Sequence, residues 1–353
     1  MKGKKVPVLI GVLCLVLIIA AMPFAGACAE AGPTPEKPIV GIVSHPYAPG
    51  SIWATQVELM KEHVEKATGG KVEVKIYPAG TMHATYEEGM MACVGGTTQF
   101  AFINITSPQK FDGRWTCYQA PGAVWGWDHW KLVQDTPSYK ELNEDLAKNQ
   151  GIKVFFWSCI IPYGDIPWNT KRPLVTPDDW KGLKMRTAPS PLQIKTVEAF
   201  GGTAVPLATP ETLAAISEGV VDGGIITPST AMPAWKADET LPYVTMPYGG
   251  FALSNMFVGF FVNAEWWDSL PSDIRTAIEA EIPAMREHTN QDAGKSSEEL
   301  WAAYQAAPGR NVSFLTEEQT KVWDDILKEQ VLPDIVGEFG CDKVFADCEA
   351  SRP

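Results

Sequence analysis

Pro38-Ile39-Val40-Gly41-Ile42-Val43-Ser44 and Val72-Glu73-Val74-Lys75-Ile76-Tyr77 are two short strand-like runs, and the chain around them decides the fold. Between them, residues 52–67 carry Ile52, Val57, Leu59, Met60 and Val64 at helical spacing, and Gly69-Gly70 ends the pattern. The second run alternates, with Val72, Val74 and Ile76 on one face. A helix is expected over 85–94, stopped by Gly95-Gly96, and a strand over 99–105. Strand, helix, strand, helix, strand is the order of an α/β sheet, whose ligands gather at the carboxyl ends of the strands.

Downstream the alternation continues. Residues 106–130 read as irregular and hold Trp115, Trp125, Trp127 and Trp130. A helix is expected over 139–149 and a strand over 153–159. Pro177-Asp178-Asp179 starts a turn before a short strand, 183–186. Helices follow over 192–200 and 210–218, the second with Thr209 as N-cap and Gly219 as its stop. Strands are expected over 220–226 and 257–262. Residues 272–297 form a long helical region interrupted by Pro283, and a last helix covers 316–329. No internal repeat is visible.

Upstream, Lys2, Lys4 and Lys5 precede an apolar run from Val6 to about Ala21, and Ala25-Gly26-Ala27 is a small-residue cleavage site. This is the pattern of a secretory signal peptide over residues 1–27. The run is short for a transmembrane anchor. Cys28 directly follows the cleavage site, in the place of a lipidated first residue, but Ala25 is atypical of that motif, so lipid-anchored and free forms both stay open. Residues 29–37 read as a flexible leader. Export defines the compartment as periplasmic.

The 353 residues are 45% hydrophobic and 20% charged, the balance of a folded chain rather than a disordered one. The length suggests about two domains. The net charge is −13, and losing the three leader lysines takes it to −16. That acidity disfavours nucleic acid and anionic membrane surfaces, which require clustered Lys and Arg. An oxidising compartment permits disulfides. A local Cys341–Cys348 bridge is the first expectation and Cys93–Cys117 the second, leaving Cys159 as a thiol; an all-reduced set also remains open. No spacing suggests a zinc site.

The stretch Arg172-Pro173-Leu174-Val175-Thr176-Pro177-Asp178-Asp179-Trp180-Lys181-Gly182-Leu183-Lys184-Met185-Arg186 resembles the signature segment of DctP-type solute-binding proteins, the extracytoplasmic receptors of TRAP transporters. The resemblance continues through residues 199–207, Pro210-Glu211-Thr212 and 218–223. Upstream it includes residues 68–74 with Tyr77-Pro78-Ala79-Gly80, and downstream Asn263-Ala264-Glu265-Trp266-Trp267 with Leu270-Pro271. It spans about 38–330. It implies a two-lobed α/β fold of the periplasmic-binding-protein kind, with crossing hinge strands and a long connecting helix. Lobe I would hold 37–163 and 252–291, and lobe II 164–251 and 292–353.

The resemblance also implies function: a receptor that closes on a small carboxylate and hands it, chemically unaltered, to TRAP-type permease subunits. No cofactor is implied. The family's carboxylate clamp falls on Arg186, whose planar fork of donors matches a carboxylate bidentately; a structural ion pair is the alternative. Asn104 ends a strand where relatives place a polar pocket residue, or it caps the loop. Tyr163 and Trp168 lie where the chain enters the second lobe, and Trp168 either stacks on an apolar ligand body or packs in the hinge. His45 and Trp53 belong to the first strand-to-helix connection. Thr227 offers a hydroxyl, and Phe251 sits at a crossover.

The departures carry information too. Ile226 and Ile166 stand where the sialic-acid branch has an Asn and a second Arg, and Gly224-Ile225-Ile226 lacks the side chains with which the keto-acid branch holds a metal. A carboxylate on an apolar or aromatic body is therefore expected. The rival classes are a receptor that presents its ligand to a membrane signalling protein and, further off, a periplasmic enzyme. The sequence has no G-x-S-x-G elbow, H-E-x-x-H or P-loop pattern.

Overall fold

A computed structural model describes residues 37–353. The expected signal peptide, Cys28 and the leader up to residue 36 lie outside the described residues. In chain order the strands are β1 (Ile39–Ser44), β2 (Val72–Tyr77), β3 (Phe100–Asn104), β4 (Ile152–Ile160), β5 (Ile166–Asn169), β6 (Lys184–Thr187), β7 (Thr203–Pro206), β8 (Gly223–Ile226), β9 (Tyr243–Met246), β10 (Phe257–Asn263) and β11 (Asn311–Phe314). They form two sheets, ordered β2-β1-β3-β10-β4 and β11-β9-β5-β8-β6-β7. Each sheet with its helices is one lobe of a two-lobed α/β fold.

In the first sheet β1 pairs in parallel with β2 and β3. β10 returns from late in the chain and inserts antiparallel between β3 and β4. In the second, β6 is parallel to β7 and β8, and β5 runs antiparallel to β8 and β9. The two chain crossings between the sheets are bound to each other. Asp165 and Ser254 form a bridge, with Asp165 N–H donating to the Ser254 carbonyl at 3.0 Å and Ile161 N–H to the Met256 carbonyl at 2.8 Å. Gly164 makes this pairing feasible. Its φ is +52°, and a Cβ there would stand 2.4 Å from that of Ala252.

Local sequence explains most elements. Helix Ile52–Ala67 begins where the Ser51 hydroxyl accepts from Ala54 N–H, and it buries Trp53, Val57, Met60 and Val64. Each such buried side chain contributes about 1.5–3 kcal/mol. The supposedly irregular 106–130 segment contains short helical turns and helix Gly126–Val133. Its Trp115 and Trp130 pack with Tyr118, Tyr139 and Trp157 in the first lobe's core, whereas Trp125 stays exposed.

Three local expectations are corrected. Pro283 does not interrupt the long helix, which runs unbroken over Ser272–Ala306. Pro283 and Glu279 are both exposed, so the carbonyl left unpaired by the proline meets water. The helix also extends further than expected and connects the lobes. Thr289 donates to the Ser158 carbonyl on β4 at 3.0 Å, and Tyr304 donates to the Leu241 carbonyl beside the second sheet at 2.7 Å. The second correction is at Thr209, the first residue of helix Thr209–Ser217 rather than its cap; Ala208 holds the cap position.

The third correction concerns the disulfide, which joins Cys117 to Cys341. Cys93, Cys159 and Cys348 are buried free thiols. Cys341 caps helix Asp342–Ala350 and Cys348 sits near its end. Seven residues of helix separate Cα atoms by about 10 Å, too far for a bridge. Cys117 and Cys341 have Cα atoms 5.7 Å apart. Helices Leu332–Phe339 and Asp342–Ala350 accordingly pack on the Gly113–Gln119 turn, and the latter also on helix Pro137–Gln150.

Candidate functional site

A cavity of about 300 Å³ lies between the lobes, near the lower end of the range usual for small-ligand pockets. The carboxyl ends of β3, β6 and β8 open onto it through Asn104, Arg186 and Ile226. Apolar atoms of Tyr47, Tyr86, Ile161, Ile226, Met256 and Val258 form much of its wall.

Arg186 is 3% exposed and lines this cavity. Its Nε donates to the Leu207 carbonyl at 2.9 Å, one terminal nitrogen to Thr209 Oγ1 at 3.2 Å, and the other to the Ile225 carbonyl at 3.4 Å. A guanidinium carries five N–H groups, so about two remain for a ligand. The Trp235 ring supports its face, with Cζ 5.3 Å from the ring centroid. Gly224 makes room for this arrangement: a Cβ there would meet Arg186 Cβ and the Trp235 ring, each at 2.9 Å. Burial lowers the Arg186 pKa to about 10, against an upward pull from Asp165, so the group stays cationic at neutral pH. Among the described residues it makes no ion pair. The structural-ion-pair alternative for Arg186 therefore has no support in the geometry.

Asp165 was not singled out from sequence. It is 1% exposed and also lines the cavity. Its carboxylate accepts from the Ser254 hydroxyl and from Gln193 Nε2 at 2.7 Å. Burial raises its pKa to about 6, opposed by these donors and by Arg186. Gln193 is held for this task, since its Oε1 accepts from Ala188 N–H at 2.7 Å.

The other expected residues divide. Asn104 lines the cavity and also caps its loop, its Oδ1 accepting from Thr106 and Ser107. Thr227 lines it too, with its hydroxyl 3.1 Å from Thr230 Oγ1. Trp53 stands one step behind, its indole N–H donating 3.2 Å to Thr230 across the two lobes. Trp168 is wholly buried outside the lining, donates to the Ile226 carbonyl at 3.0 Å and packs on Tyr304. Tyr163, at φ +67°, packs against Trp301. His45 is buried, accepts from Tyr47 N–H and lies outside the lining, with its pKa lowered to about 4 by burial. Phe251 follows the Tyr248–Gly250 turn and is also outside the lining.

Sequence reasoning missed Tyr47 and Tyr86 as well. Their hydroxyls share a hydrogen bond of 2.6 Å at the cavity wall, and burial pushes the Tyr47 phenol up to about 12. The segment 46–48 follows the expected first strand, at a strand end where such a residue is to be looked for.

Two α/β lobes enclosing a cavity above paired crossing strands, with an uncommitted buried cation on the wall, define a solute-binding receptor. The chain belongs to the bacterial extracellular solute-binding proteins of family 7, the DctP family, whose pattern matches residues 43–333. It is a solute-binding protein of the TRAP type. The C4-dicarboxylate-binding periplasmic protein DctP of Rhodobacter capsulatus is 26% identical over 304 residues, covering 84% of this chain and 86% of that one. Two solved TRAP periplasmic solute-binding proteins share the fold. One, from Roseobacter denitrificans with bound β-D-glucuronate, superposes with a TM-score of 0.77 at 17% identity over 89% of this chain and all of that one. The other, from Sulfurospirillum deleyianum with bound succinate, gives 0.77 at 20% identity over 89% and 99%.

Proposed function

We propose that this receptor binds a small organic acid with an apolar or aromatic body, closes its lobes around it, and delivers it unaltered to TRAP-type permease subunits from the periplasm. One observation carries the reading: a buried guanidinium lines the inter-lobe cavity, pairs with no protein carboxylate among the described residues, and keeps donors in reserve. In that low-dielectric site a ligand carboxylate gains a charge-assisted, bidentate contact. Arg186 is the sole cation among the described lining residues, which favours one carboxylate over two. Ile226, Pro233, Met256 and Val258 favour an apolar remainder.

Closure is read from the crossings. The hinge is placed at 161–165 and 252–256, with 37–163 and 252–291 on the first lobe and 164–251 on the second. From sequence the second lobe is expected to run to 353. Because helices Leu332–Phe339 and Asp342–Ala350 pack on the Gly113–Gln119 turn, only 292–331 stay with it and the last two helices are assigned to the first lobe. Cross-lobe bonds from Trp53 to Thr230, from Gln109 to the Pro189 carbonyl and from Ser190 to Gln119 hold the closed arrangement and break on opening. Ligand favours closure only by its differential affinity for that state. Asn104 and Thr227 complete the polar contacts.

Calorimetric titration of a ligand panel tests this. Aryl and branched-chain acids are expected to bind, with a change in tryptophan fluorescence. Tight binding of a polyhydroxylated acid, with no response to the apolar acids, rejects the apolar body.

A further inference from the structure

We propose that the ligand is an α-amino acid with an apolar side chain, its carboxylate on Arg186 and its ammonium on Asp165. The inference deepens the reading above and rests on its assignment of Arg186 and of an apolar ligand body.

Placement is the first argument. Asp165 immediately precedes β5, Arg186 is on β6, and β8 lies between these strands in the second sheet. Ile166 pairs with Ile226 and Arg186 with Gly224, so both side chains reach the cavity from the same sheet. Both residues are almost completely buried. A buried carboxylate on a ligand cavity has a desolvation cost that needs an explanation.

The charge inventory is the second. Besides Arg186, the described lining residues include the carboxylates Asp165 and Glu87. Glu87 has a distant partner in Lys110, 3.9 Å away. A simple anion entering this cavity meets a lining that is already net negative. A ligand carrying its own ammonium group brings its charge into balance with Asp165 while its carboxylate occupies Arg186.

The acceptor count is the third. A carboxylate has about four acceptor positions. Asp165 receives the Ser254 hydroxyl and the Gln193 amide, both neutral donors and both on the same oxygen. These donors partly offset the burial that disfavours the ionised form, and they leave positions for a cationic N–H. The group therefore stays ionised at pH 7.5, with its pKa near 6.

The test compares ligand pairs that share one body: leucine with 4-methylpentanoate, phenylalanine with 3-phenylpropanoate, and alanine with propanoate. Calorimetry on the wild-type mature protein at pH 7.5 is expected to show the amino acid binding at least tenfold more tightly within a pair. Asp165→Asn should bring that ratio below threefold. Because the wild-type ratio is decisive alone, a misfolded variant does not rescue the idea. Equal or tighter binding of the acid without the amino group overturns it, as does a ratio that Asp165→Asn leaves in place. If only alanine binds, and more tightly than propanoate, the apolar-body reading falls and the amino-acid contact stands. If no amino acid binds, the proposal is wrong.

Discussion

On the first lobe the cavity is faced by Tyr47, Tyr86 and Asn104, neutral groups bonded to their own lobe, and by the carboxylate Glu87, 3.9 Å from Lys110. On the second it is faced by Arg186, Asp165, Gln193 and Thr227, two of them charged. The second wall is organised by strand ends: β6 and β8 deliver Arg186 and Thr227, and backbone carbonyls fix the guanidinium in place. The first wall is organised by side chains touching each other. The second lobe thus holds the one cation among the described lining residues in a preset geometry, while the first faces it with two tyrosines, an amide and one carboxylate. This division predicts that ligand affinity resides mainly in the second lobe and that changes in the first act more gently.

The sharpest way to break the comparison is Arg186→Ala. Removing one partner of a buried charged pair costs about 2–5 kcal/mol, so affinity should fall at least tenfold by calorimetry. Unchanged affinity would remove Arg186 from the role and the asymmetry with it.

A second test uses pH, because His45 on the first lobe and Asp165 on the second are buried titratable groups whose pKa values shift in opposite senses. His45, after β1, has its folded pKa lowered to about 4 from 6.5. Its contribution is present above pH 6.5 and is lost as pH falls towards 4, because the unfolded chain takes the proton first. Asp165 has its folded pKa raised to about 6 from 3.8. Its contribution is present below 3.8 and is lost as pH rises through 6. Each effect is on the order of 3 kcal/mol at most. Melting curves at several pH values should show His45→Gln gaining on the wild type as pH drops below 6.5, and Asp165→Asn gaining as it rises through 6. Differences that do not move with pH contradict both assignments.

The smallest expected effect is at the tyrosine pair of the first wall. Tyr86→Phe deletes the 2.6 Å bond to Tyr47, worth about 0.5–1.5 kcal/mol. Ligand affinity should fall less than in Arg186→Ala, by roughly tenfold at the outside. A larger loss would place the recognition charge's main partner on the wrong lobe.

Much of the fold was legible because its signals are local. Helix Ile52–Ala67 has the expected limits, and strands β1, β2 and β10 differ from expectation by a residue or less. The strands that escaped notice are short. β5 contains Pro167 and only four residues, too few for a period to show, and β7, β9 and β11 are equally brief. In the site, Arg186, Asn104 and Thr227 were legible at or just beyond strand ends, a place that sequence can specify. Asp165 and Gln193 were not, since they meet only where two chain crossings pair and helix Pro191–Ala199 packs beneath them. The Cys117–Cys341 partnership spans 224 residues and depends on tertiary return of the tail, which no spacing rule records.

The position of β10 has a consequence for how the molecule is made. The first sheet has a vacant lane between β3 and β4 until β10 arrives, and β10 is synthesised only after every strand of the second lobe except β11. The earlier-made lobe therefore cannot finish first. It must wait, partly assembled and with apolar strand edges uncovered, while the later lobe is produced. Its covalent lock at Cys117 waits longer still, for a cysteine almost at the end of the chain.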